Sequence, residues 1–520
     1  MRTSRSLIRG GYVSLETLPL LESPLLYAAA RPLNLAAEPA AGDLIPSRPL
    51  EAGEQYRFHF DMARCIGCKC CVVACNEQNG NPANLNWRRV GEVEGGHYPN
   101  TRRHYLSMGC NHCIEPSCLI GCPVEAYSKS PITGVVIHNA DTCIGCQYCT
   151  WNCSYGVPQF NPERGIVGKC DMCHNRLSDG MAPACVSACP ERAIAIEIVN
   201  IAEWRRDYVS ANAPGLPSAD DSISTTRVTL PENLPPGMGR VDSNRVDLEH
   251  PHWPLVFMLV LTQLCVGAFI ALWLLAFSRP AAELDFAALA SLGLAATSLS
   301  ASTLHLGRPI YAWRALRGLR QSWLSREVLA LSLFAGAAHA FAAMLFFGIP
   351  GRNAAGFATA MAGIAGVMCS ARIYIVRARP AWFSGYTIAE FFSTALMLGP
   401  AFVHTVDSHA PRAALFASVC GAAAQLIAQS GKFVWLAQSE AFELRSSSML
   451  LAGKLRGLFS IRLAILVLAG IVMPLAATSA WALALAFAAC LAGELLGRYL
   501  FFVSVVPKNI AAAFTIARAA

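Results

Sequence analysis

Cys65-Ile66-Gly67-Cys68-Lys69-Cys70-Cys71-Val72-Val73-Ala74-Cys75 sets three cysteines at intervals of three and a fourth four residues on, with Cys70 outside the spacing. The same run returns as Cys143, Cys146, Cys149 and Cys153. Looser versions are Cys110, Cys113, Cys118 and Cys122, and Cys170, Cys173, Cys185 and Cys189. Three close-set thiolates on one turn wrap one face of an iron–sulfur cubane, and the fourth ligand arrives from elsewhere in the chain. Four groups of four therefore fit four [4Fe–4S] clusters with no ligand missing. Cys70 reads as a spare packed thiol. A disulfide framework is the competing reading, but it belongs to short secreted chains, and this one has 520 residues.

Of the 21 cysteines, 17 precede residue 190; Cys265, Cys369, Cys420 and Cys490 are scattered through apolar sequence. The formal charge of +7 raises nucleic acid as a partner. That reading is rejected, because the positive charges sit mostly in short loops of an apolar region. Residues 1–49 show no charged start followed by an apolar run, and Arg2, Arg5 and Arg9 are not adjacent. Neither a cleavable export signal nor a twin-arginine signal is expected.

Five segments follow from composition. Residues 1–54 form an Ala-, Leu- and Pro-rich irregular extension, and 55–205 an α+β, ferredoxin-like domain holding the clusters. Residues 206–250, rich in Pro, Ser, Asp and Asn, read as a linker. Residues 251–506 form an all-α polytopic membrane domain of about eight helices, and 507–520 a tail. The spans fall near 253–277, 286–304, 328–349, 354–376, 387–406, 413–431, 458–477 and 481–505, the last two divided at Thr478-Ser479. Loops on the cluster-domain side carry thirteen Lys and Arg, among them Arg308, Arg314, Arg317, Arg320 and Arg326; the other side carries Arg279, Arg352 and Arg412. Positive loops stay in the cytoplasm, so the clusters are expected on the cytoplasmic side of a bacterial inner membrane.

The four Cys groups resemble the iron–sulfur subunit of the dimethyl sulfoxide reductase, or complex iron–sulfur molybdoenzyme, family. The resemblance implies that groups one and four pair, as do groups two and three. Cys65, Cys68 and Cys71 would then join Cys189, and Cys170, Cys173 and Cys185 join Cys75. Cys110, Cys113 and Cys118 would join Cys153, and Cys143, Cys146 and Cys149 join Cys122. Nitrate reductase-type members carry Trp where this chain has Cys146, so four cubanes are implied here. The family often has Pro after the last Cys of group three, and this chain has Ser154. Leu304-His-Leu-Gly-Arg-Pro309 and Ser322-Trp-Leu-Ser-Arg-Glu327 resemble the loop between the second and third spans of the same family's membrane anchor. Two proteins usually separate are here joined in one chain.

A quinol site needs an apolar slot, a group that bonds the quinol oxygen and a proton acceptor at the bilayer edge. His305, at the end of a span, and Glu327, at the start of the next, are the residues the resemblance places there. Arg308, Trp323 and Arg326 are secondary candidates, with headgroup anchoring as the plainer role of the arginines. Glu494 and Arg498, four apart, are expected to pair, and Glu390 to reach an interface. Although His339, His404 and His409 exist, no haem is expected. The implied function is a relay between quinol and a separate molybdopterin-containing catalytic subunit. The same relay run in the oxidative direction, as in membrane-bound sulfite dehydrogenase, is the alternative. A redox-sensing transporter is remoter, since inverted repeats with broken helices are not evident.

Overall fold

Alternation of apolar residues in Glu54–Asp61 builds the first strand of the cluster domain, with Phe58 and Phe60 turned into the core. The computed structural model describes residues 5–8, 11–14, 44–241, 246–407 and 411–509. Arg5–Ile8 (β1) and Gly11–Ser14 (β2) pair antiparallel, so part of the 1–54 extension has strand backbone where irregular structure was expected. Glu54–Asp61 is β3. It is followed by an antiparallel pair, β4 (Arg89–Gly95) and β5 (Arg102–Met108), and by two short hairpins. These are β6 (Tyr127–Lys129) with β7 (Val136–His138), and β8 (Gln159–Asn161) with β9 (Ile166–Gly168). β10 (Ile194–Asn200) returns antiparallel to β3, with Ile194 opposite Phe60. The ordered domain begins before residue 55: Leu44 is buried in its core and accepts a hydrogen bond from the Ile196 amide.

The expected linker is woven into this domain. β11 (Arg227–Thr229) adds to β3 in parallel, and β12 (Gly239–Arg240) pairs with β4. Its hydroxyls bond the second Cys group, through both backbone and side chains. Thr225 Oγ1 donates to the Asn111 carbonyl at 2.6 Å, and Thr226 Oγ1 to Asn111 Oδ1 at 2.9 Å. Trp204 Nε1 closes the strap onto the Ser224 carbonyl at 2.8 Å. Polar composition suggested a tether, but these hydroxyls satisfy buried carbonyls.

Eight helices are long and apolar enough to cross a membrane: Trp253–Leu275, Asp285–Thr303, Trp323–Phe346, Arg352–Tyr374, Gly385–Val406, Arg412–Gln438, Arg456–Ala476 and Ala480–Val503. The third starts at Trp323, five residues before the expected 328, so Glu327 lies one turn inside it. The seventh and eighth divide where Ser479 caps the last helix, its side chain accepting from the Ala482 amide at 3.3 Å. The seventh also carries a π-turn at Leu468–Val472, just before Pro474. The first span is the most enclosed and packs on the second, fourth, fifth and eighth. Gly267 and Gly399 let the first and fifth helices touch backbone to backbone, as small residues do in membrane bundles.

Two expected side-chain roles change. Glu494 pairs with Arg462 of the seventh span, not with Arg498, because Gly493 and Gly497 open that face of the helix to the Arg462 guanidinium. Thr394 Oγ1 donates to the same carboxylate at 2.8 Å, while Arg498 donates to Gln263 Oε1 at 3.0 Å and lies over the Phe391 ring. Glu390 does not reach an interface; it is buried and pairs with Lys432 at 3.1 Å. Arg462→Leu leaves the Glu494 charge uncompensated among helices, and should cost about 3–5 kcal/mol. A matching fall in detergent-resistant thermal stability checks this, and the double change Arg462→Leu with Glu494→Leu should recover most of the loss. His409 and residues 510–520 lie outside the described residues.

Candidate functional site

Each Cys group begins with the same backbone device. The residue before its second cysteine has positive φ: 72° at Gly67, 43° at His112, 68° at Gly145 and 61° at Met172. Two of the four are not glycine, which marks an imposed conformation. The turn aims amides at sulfur: Met172 N donates to Cys170 Sγ and Gly145 N to Cys143 Sγ, both at 3.4 Å. After the last cysteine of two groups, Ala126 N donates to Cys122 Sγ and Ala193 N to Cys189 Sγ, both at 3.3 Å. Amides directed at sulfur stabilise negative charge there.

The sixteen thiols gather in four quartets. Cys65, Cys68, Cys71 and Cys189 line one cavity, and Cys110, Cys113, Cys118 and Cys153 another. Cys75 lies within electrostatic reach of Cys170, Cys173 and Cys185. Cys122, Cys143, Cys146 and Cys149 are coupled in the same way. Cys70 is exposed and belongs to none of them. Among the described residues, no three Cys, His, Asp or Glu side chains are placed to hold a single metal ion.

Burial, then neighbouring thiols, push the Cys65 thiol up to about 11 and the Cys113 thiol up to about 12. Protons held this firmly must be displaced by metal for the sulfurs to carry charge. Two buried cations counter the burial. Burial opposes the charge on Arg88, but Cys185, Cys71, Cys170 and Cys75 more than offset it and hold the guanidinium charged. Lys169 stands likewise between Cys110, Cys118 and Cys170, its Nζ 3.8 Å from Cys110 Sγ and 2.7 Å from the Cys170 carbonyl. Neither cation was singled out by the sequence; one basic residue among many carries no signal of depth. Lys169→Met should lower the midpoint potentials of the two centres it touches, by on the order of tens of millivolts, in an EPR-monitored redox titration.

The loop between the second and third spans seats the cluster domain on the bundle. Gly307 lies against Gly145 and Gly165, so close that a Cβ on any of the three would overlap a neighbour's backbone. Arg308 N donates to the Ile144 carbonyl at 3.1 Å and Gly318 N to the Pro123 carbonyl at 2.8 Å. Ser322 Oγ donates to the Gly121 carbonyl at 2.7 Å. Two arginines of the loop bond the cluster domain: Arg308 Nη1 donates to the Ala140 carbonyl at 3.0 Å and Arg314 Nη1 to the Asp141 carbonyl at 2.8 Å. Trp323 and Arg326 stack on each other at 4.4 Å. Arg308, Trp323 and Arg326 do not line the cavity described next.

That cavity, about 390 Å³, lies at the joint. Leu255, Met258, Leu299, Leu306 and Leu331 make its apolar walls, and His305 and Glu327 both reach it. The cluster domain closes it with Cys146, Tyr148 and Trp151. His305 Nε2 is 3.1 Å from the Cys146 carbonyl, and its ring stacks near Trp151 with centroids 6.2 Å apart. Burial first, and then the neighbouring His250, favours the neutral imidazole, against the pull of the Cys146 carbonyl. Glu327 is 3% exposed, and its Oε1 has no hydrogen-bond partner. A buried carboxylate among the lining residues of an apolar slot fits a hydroxyl-bearing ring in that slot. Tyr148 and Trp151 were missed by the sequence reading; they sit inside a Cys group, where the cysteines took all the attention.

Comparison with known proteins matches residues 101–198 to the 4Fe-4S dicluster domain, and residues 248–503 to the DMSO reductase anchor subunit (DmsC). The B chain of anaerobic dimethyl sulfoxide reductase from Haemophilus influenzae is 40% identical over 177 residues, 32% of this chain and 85% of that protein. Its counterpart of the same name from Escherichia coli strain K12 is 38% identical over 173 residues, covering 32% and 83%. The B subunit of sulfite dehydrogenase from Allochromatium vinosum is 36% identical over 160 residues, covering 27% and 67%.

Proposed function

We propose that this chain, which belongs to the dimethyl sulfoxide reductase family and carries its iron–sulfur and membrane-anchor portions in one polypeptide, relays electrons between membrane quinol and a separate catalytic subunit. One observation carries the reading: His305, Glu327 with its unpartnered Oε1, and Cys146 border the same apolar cavity. The slot accepts the head group, His305 bonds one oxygen and Glu327 takes a proton from the other. The four Cys quartets hold four [4Fe–4S] clusters, one-electron carriers whose potentials the protein sets through burial and sulfur hydrogen bonds. The cluster that Cys122, Cys143, Cys146 and Cys149 would hold adjoins the slot and would supply a one-electron acceptor there, while Cys68 of another quartet is exposed at the domain surface. The partner in this reading is a molybdopterin-containing catalytic subunit, on the likeness to the B chains of dimethyl sulfoxide reductase.

Charge in the loops supports a cytoplasmic cluster domain on an inner membrane. The reductive direction is favoured by the likeness to the two dimethyl sulfoxide reductase proteins, which covers more of both partners in the comparison than the likeness to the sulfite dehydrogenase protein. Cluster potentials well below that of the quinone pool would reverse this direction. His305→Ala in the membrane-extracted complex should abolish quinol-dependent turnover and leave about sixteen iron atoms per chain. Normal quinol turnover in that variant would remove His305 from the reaction, and far less iron in the unaltered chain would remove the clusters.

A further inference from the structure

Tyr148 borders two cavities. One is the slot it shares with His305 and Glu327. The other, about 300 Å³, lies between the cluster domain, the strap after it and the bundle loops. Its lining includes Asn152, Ser154, Asp221, Gln321 and Arg377, all able to bond water. Ser154 is the residue that stands where relatives often have proline, and its hydroxyl adds a donor that proline lacks. Arg377 is exposed, so this second space reaches the aqueous side on which the cluster domain sits. A space of this size holds several waters at about 30 Å³ each. Glu327 lies within electrostatic reach of Tyr148. Tyr374, Ser302, Thr303 and Ser332 also line the first cavity, but none of them lines the second.

We infer that the second cavity is the proton exit of the quinol site, with the Tyr148 hydroxyl as the gate between Glu327 and its water. The inference rests on the first cavity being that site. Oxidation of one quinol breaks two O–H bonds. Its two electrons leave one at a time toward the Cys146 quartet, and its two protons leave through Glu327. The Tyr148 hydroxyl accepts each proton and surrenders its own to the waters around Asn152 and Asp221, so it acquires no net charge. In the opposite electron direction the same route delivers protons to quinone. Tyr148 thus serves twice, as a wall that keeps bulk water from the slot and as the residue common to the linings of both cavities. A rival exit runs through His305 to His252 and the exposed His250, whose ring centroids are spaced 5.4 Å and 4.9 Å.

The membrane-extracted complex is mixed anaerobically with a short-tailed benzoquinol or naphthoquinol, and cluster reduction is followed by absorbance and EPR. Tyr148→Phe keeps the ring and removes the hydroxyl. Its reduction rate should fall about 10–100-fold, with an enlarged solvent deuterium isotope effect. Quinone-analogue affinity and dithionite-reducible clusters should match the unaltered complex. Gln321→Phe, which fills the second cavity from the bundle side, should slow the reaction in the same way. Unaltered rates in both variants would overturn the gate, as would a slow His252→Phe beside a normal Tyr148→Phe. If Glu327→Gln also kept full quinol turnover, the first cavity itself would lose its assignment, which separates the two failures.

Discussion

Glu327→Gln will slow quinol-dependent cluster reduction by about 10²–10⁴-fold, the usual worth of a positioned general base. The substitution is nearly isosteric, so the slot keeps its shape and the third helix its packing. What is lost is a proton acceptor whose Oε1 bonds nothing else in the protein. The amide still offers an oxygen to a quinol hydroxyl, so affinity should change by less than about fivefold while the maximal rate collapses. That split between binding and rate marks an interaction used in the transition state more than in the bound ground state. Stopped-flow reduction at saturating quinol checks it, with dithionite reduction as proof that the clusters remain. A variant that fell only in affinity would make Glu327 a binding group and return the base to another residue.

Gly307→Val should lower the same rate by about 10²-fold or more, with no chemical group removed. A Cβ at Gly307 would overlap the Gly165 backbone, and Gly165 is held at positive φ. Neither backbone can yield without moving the first turn of the Cys143 group, because Gly145 meets both. The Cys146 quartet would shift away from the slot, and misplacement on the order of 1 Å at a reacting site is enough for such a loss. Quinone-analogue affinity should weaken too, since Tyr148 and Trp151 come from the displaced domain. Gly307→Ala should show a smaller version of both effects. A Gly307→Val complex with normal quinol kinetics would mean that the joint relaxes without cost.

Much of this architecture is legible in residues alone, because metal ligation and bilayer crossing both impose strict rules. Thiolates at fixed intervals admit few alternatives, and runs of about 20 apolar residues admit fewer. The His305 and Glu327 positions were accessible because a loop motif carries them. Contacts made across sequence were not. Arg88 and Lys169 become buried cations only when three distant Cys groups converge on them. Arg498 satisfies the spacing rule for Glu494 and Arg462 does not, yet two glycines on the helix face give the carboxylate to Arg462. The strap 206–250 read as a tether because serine and threonine look the same from sequence whether they face water or a buried carbonyl.

The strap meets the segment that follows the last helix. Lys508 Nζ is 3.0 Å from Asp221, and Arg240 Nη1 donates to the Asn509 carbonyl at 3.1 Å. Together with the glycine seat, these ties hold the two halves from several directions at once. Peptide continuity between them is therefore redundant: a nick after Val241 would yield two fragments that stay clasped. What joining the reading frames adds is equal dosage, so that no anchor is made without its own conductor.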